Sequence, residues 1–84
     1  MLMKGSHVIF RDSLGKDRQA LVTAIHGPAE SNPSINVVIV NDDDAQHDSY
    51  GNKIERFTSV VHQSNQWATG MNWRNPDEEK ATQK

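Results

Sequence analysis

Apolar residues along this chain fall in short runs separated by turn chemistry, and four of the runs predict β-strands. In residues 7–11, Val8 and Phe10 alternate with more polar neighbours, Ile9 apart. Residues 18–26 centre on Ala20, Leu21, Val22, Thr23, Ala24 and Ile25, and residues 54–62 carry Phe57, Val60 and Val61. The strongest signal is residues 35–41, where Ile35, Val37, Val38, Ile39 and Val40 crowd β-branched side chains that lose χ1 freedom in a helix but pack well on a pleated sheet. Apolar residues on both of its faces predict a central strand or one crossing a barrel.

Between the runs, Gly15 suits the positive φ of a hairpin loop, Gly27-Pro28 ends the second strand, and Asn32-Pro33-Ser34 introduces the third. No segment of ten residues has a clean helical period, the best case for one turn being residues 64–70. From Asn75 onward no large apolar residue occurs, so residues 75–84 are expected to be a disordered polar tail behind one domain at residues 3–74. The fold class this implies is all-β: a small antiparallel barrel or curled sheet of four to six strands.

The opening Lys4-Gly5-Ser6-His7-Val8-Ile9-Phe10, then the Gly15 turn and Ala20-Leu21-Val22, resembles the start of SH3-like barrels of the KOW and Tudor type. Pro33-Ser34-Ile35-Asn36, Asp48-Ser49-Tyr50-Gly51, Ile54-Glu55-Arg56 and Thr58-Ser59-Val60-Val61-His62 together resemble a family of short uncharacterised proteins encoded by bacteriophages and prophages. The second resemblance implies a viral origin and carries no established activity.

Composition narrows the function. The 84 residues allow one thin-cored domain, which points to a homo-oligomer. Without cysteine there are no disulfides or thiolate metal sites, and no apolar run nears the roughly 20 residues that cross a bilayer. The first six residues lack the apolar stretch of a secretory leader, so a cytoplasmic location is expected (host cytoplasm if viral), with no membrane partner. Nine basic residues scattered among eleven acidic ones disfavour duplex nucleic acid, which demands a basic face.

His7, His26, His47 and His62 match no metal-ligand spacing, so no metal is expected. There is no Gly-x-Ser-x-Gly elbow and no phosphate-cradling glycine loop, so neither catalysis nor a cofactor is expected. Residues 58–73 hold both tryptophans among amides and hydroxyls, a composition able to stack on a planar ring and read its edge. Ser59, His62, Asn65, Trp67, Asn72 and Trp73, with Arg18 or Arg56 meeting a phosphate, are the candidate site for a nucleotide-like ligand. The corresponding function is sequestration of a small immune signal to counter host defence. Core packing competes with stacking at both indoles, and more strongly at Trp73. The alternative is an inhibitor or adaptor acting on a host protein, using Asp42, Asp43, Asp44, Asp48 and Tyr50 as an acidic mimic of nucleic acid. A KOW-like nucleic-acid-binding accessory role ranks third.

Overall fold

Val8 and Phe10 point the same way from β1 (His7–Arg11) and are fully buried, the period-2 placement that starts the core. A tight turn leads to β2 (Asp17–His26): Asp12 Oδ1 accepts the amides of Leu14 and Lys16, each at 2.9 Å, and Gly15 takes φ +80°. Partial burial opposes ionisation of Asp12, but those amides and the Arg18 guanidinium outweigh it and hold the carboxyl below its ordinary range. A 3-10 turn at Ala29–Ser31 then leads to β3 (Ser34–Val40), antiparallel to β2. The two-residue strands β4 (His47–Asp48) and β5 (Gly51–Asn52) form a separate hairpin before β6 (Ile54–His62) and β7 (Asn72–Arg74). This computed structural model describes residues 2–41, 45, 47–65 and 70–79.

The strand order β1-β2-β3-β6-β7 closes into a barrel because β7 returns to pair with β1, Phe10 opposite Trp73. Closure removes the free edges that a curled sheet would leave. One departure from an all-antiparallel barrel stands out: β6 and β7 run parallel, with Val61 opposite Asn72 and His62 opposite Trp73. The core gathers Val8, Phe10, Ala20, Val22, Ile35, Val37, Ile39, Val60 and Trp73, with Phe57 stacked on Phe10 at 4.7 Å between centroids.

β3 is central, as its composition predicts, yet only one face is enclosed. Ile35, Val37 and Ile39 are buried, whereas Val38 is half-buried and Val40 exposed on the outer surface. Residues 80–84 of the expected polar tail lie outside the described residues. Residues 75–79 turn back onto the barrel, Glu78 bonding to His62 and Asn75, and Gln63 Nε2 donating to the Glu79 carbonyl at 2.9 Å. A specific carboxylate, which hydrophobicity patterns ignore, anchors this turn.

Candidate functional site

The residues nominated for a nucleotide-like ligand are dispersed by the fold. Arg18 lies at the start of β2, its Nε 3.1 Å from Asp12 Oδ2. Arg56 is exposed on β6, in line with Val38 and Leu21 across three strands. Ser59 occupies a bulge in β6 at φ +54°, and its amide donates to Asn36 Oδ1 at 3.0 Å. Asn65 closes a turn by donating its amide to the His62 carbonyl, and buried Asn72 donates its Nδ2 to the Gly70 carbonyl. Trp67 lies outside the described residues.

Trp73 belongs to the core, a correction to its candidacy for stacking. It is buried, its Nε1 donates to the Pro33 carbonyl at 3.0 Å, and the His62 ring meets it edge-on at 4.6 Å. Burying an indole releases a large apolar area while its N–H still finds an acceptor.

His62 is likewise buried and fully engaged. Its Nδ1 accepts the Ser64 hydroxyl at 2.8 Å and the Ser64 amide at 3.1 Å, so the proton sits on Nε2, which donates to Glu78 at 2.9 Å. Burial opposes ionisation of Glu78, but the bonds from His62 and from the amide and side chain of Asn75 overcome it, lowering the carboxyl from 4.5 to about 2. Sequence reading missed this anchor, since no spacing rule links positions 62 and 78. Of the other histidines, His7 bonds Gln19 and His26 Nε2 donates to Asn36 Oδ1 at 2.9 Å. Among the described residues no three His, Asp or Glu side chains gather as metal ligands.

An exposed apolar cluster lies on the outside of β2, β3 and β6. Leu21 (49% exposed), Val40 (59%) and Ile54 (61%) surround Val38, with Leu21 opposite Val38 and Val40 opposite Ile54. A groove of about 330 Å³ runs between them and continues past Val38 to Thr23 and Arg56. Next to Val40 and Ile54 the chain leaves for the β4–β5 hairpin, fastened by Asn41 N–H to the Lys53 carbonyl and Asn52 Nδ2 to the Asn41 carbonyl. Tyr50, in the turn of that hairpin, is 97% exposed. Of the residues nominated for a protein partner, Tyr50 is thus presented outward. Asp42, Asp43 and Asp44 lie outside the described residues, and Asp48 is placed by its backbone in β4. The outer apolar residues were not nominated, although apolar residues at both Val38 and Ile39 were the signal for a second apolar face.

A second concavity, of about 460 Å³, opens beside Trp73 between the 3-10 turn and the C-terminal turn. Glu30, Asn32, Asn75 and Asp77 give it polar walls, with Leu2 and His7 completing them. Comparison with protein-family models, with curated proteins and with solved structures found no match to this chain. Among the described residues, no helix is long and apolar enough to cross a membrane.

Proposed function

We propose that this chain is a non-enzymatic binding module that docks a protein partner through the outer face of β2, β3 and β6. The observation that carries the reading is the in-register cluster of Leu21, Val38, Val40 and Ile54 left open to solvent. Contiguous apolar surface with a polar rim is what association sites use, and an exposed tyrosine such as Tyr50 offers rigid contact area at low entropy cost. Asp42, Asp43 and Asp44 follow Val40 almost directly in sequence, so the complementary partner carries basic side chains around an apolar stripe. The resemblance to phage-encoded proteins makes a host protein the proposed partner, and the resemblance of the chain's opening to SH3-like barrels makes that the proposed fold type.

Catalysis is a poor fit to an arrangement that superficially suggests it. Ser64, His62 and Glu78 form a nucleophile-base-carboxylate chain, but the amides of Gln63, Ser64 and Asn65 already donate within the fold. None of these three is left to stabilise an oxyanion.

The test is affinity capture from host lysate with the native chain, a Val40→Lys/Ile54→Lys variant and a variant with residues 42–44 changed to Asn. The native chain is expected to retain a partner that both variants lose, with melting curves showing that the variants fold. Equal capture by all three would remove the docking face and the acidic segment together. A second reading, a nucleotide-like small ligand, is favoured by the cleft beside Trp73, whose volume suits a ligand of that size. Calorimetry against a nucleotide panel addresses it: heat abolished by Asn75→Ala supports the cleft, and no heat with any member excludes it.

A further inference from the structure

Arg11 and Arg74 extend from neighbouring strands, β1 and β7, towards one carboxylate, Asp17 on β2. Arg74 grips it with both terminal nitrogens, at 3.0 and 3.3 Å. Arg11 reaches it only loosely, its Nε standing 3.9 Å from Oδ1. Asp17 is the sole carboxylate within ion-pair range of either guanidinium among the described residues, so two positive charges share one negative charge.

Both cations are withdrawn from water. Arg11 is 4% exposed and Arg74 13%, whereas Asp17, at 32%, marks the edge where the cluster meets solvent. Nε and Nη2 of Arg11 and Nε of Arg74 are buried without a hydrogen-bond partner. Buried guanidinium N–H groups are normally satisfied, and a buried cation without its counter-charge is costly. The cluster therefore lacks one negative charge and several acceptor oxygens, which is what an oxyanion supplies. A guanidinium presents parallel N–H donors that match phosphate oxygens two at a time, and the unpaired nitrogens of Arg11 are two that can act together.

We infer that Arg11 and Arg74 form an oxyanion site that takes a phosphate-type group, with Asp17 holding the two guanidinium planes in place. The site uses neither Arg18, which is committed to Asp12, nor Arg56 on the outer face. It stands independently of the docking face, whose central apolar residues lie on β2, β3 and β6.

The probe is inorganic phosphate, titrated against sodium chloride at matched ionic strength into the full chain. Two readouts are followed: the melting temperature and the Nε–H resonances of the arginines. Because a ligand that binds only the folded state stabilises it, phosphate at about five times its Kd is expected to raise the melting temperature by about 4–8 °C in a chain of this size. The Arg11 and Arg74 Nε–H resonances should shift along the same saturable curve while Arg56 stays still. Arg11→Met should abolish the phosphate-dependent rise. Equal melting in phosphate and chloride, or a rise that persists in Arg11→Met, would overturn the site. Should Arg11→Met fail to fold, the resonances of the native chain decide alone: unmoved Arg11 and Arg74 signals sink the proposal.

Discussion

Glu78 is where one side chain decides the position of a whole segment. It accepts from His62 Nε2, from the amide and side chain of Asn75, and from Gln63 Nε2. These donors favour the charged form, so the carboxyl titrates at about 2 instead of 4.5. A depressed carboxyl contributes stability that is complete above its unfolded value and is lost as pH falls through its folded one. The window is therefore from about pH 4.5 down to about pH 2. With the side chain 30% exposed, screening reduces the effect to about 1–2 kcal/mol. Glu78→Gln should cost that amount at neutral pH and flatten the melting-temperature profile between pH 4.5 and 2 relative to the native chain. A native-like acid profile in the variant would mean the anchor is energetically idle. The same residue shows where the sequence was opaque: the benefit lies in a contact across sixteen positions, not in any local propensity.

At the scale of the element, β6 bends at a bulge. Thr58 and Ser59 together oppose Asn36 between the pairs Ile35–Val60 and Val37–Phe57, and Ser59 enters the left-handed region. Asn36 Oδ1 takes the Ser59 amide that the ladder cannot use. A left-handed non-glycine residue costs about 1–2 kcal/mol, and glycine gives back about 0.5–1 kcal/mol in unfolded-state entropy. Ser59→Gly is therefore expected to stabilise the fold by about 0.5 kcal/mol, measured by urea unfolding. Asn36→Ala should destabilise it by about 1 kcal/mol, since the freed amide can still reach water. Loss of stability in Ser59→Gly would show that the serine side chain has a role beyond permitting the bend. Strands β1, β2, β3 and β6 were legible because their apolar residues are dense and their ends carry Gly, Pro or Asp. The bulge was not, because a left-handed serine has no compositional mark. β7 was missed because three residues around one buried tryptophan offer no periodicity to read.

For the whole molecule, closure depends on that three-residue strand and on what holds it. β7 pairs with β1 on one side and β6 on the other, while Trp73 fills the core between them. A chain this small buries a modest share of its surface, so a single seam of the barrel is a large part of its stability. Alternation in the sequence predicts a barrel or a curled sheet. It does not say which strand completes it, because a parallel closing pair depends on how the chain returns from His62 to Asn72. The candidate site divides in the same way: Arg56 could be named from sequence, but the apolar stripe it flanks exists only once Leu21, Val38 and Ile54 are brought into register. The turn at residues 75–79 reinforces the seam from outside by tying the segment after β7 to the end of β6 through Glu78 and His62. Two shortened chains separate this tie from the strand itself. A chain ending at Glu79 keeps the anchor, whereas one ending at Arg74 keeps β7 and loses it. The shorter chain should melt about 4–8 °C below the longer one, the shift that about 1 kcal/mol produces in a domain of this size. Its hydrogen exchange should quicken first at Asn72 and Trp73, the residues paired to β6 beneath the tie. Identical melting of the two chains would show that β7 closes the barrel unaided and that the anchored turn merely rests against it.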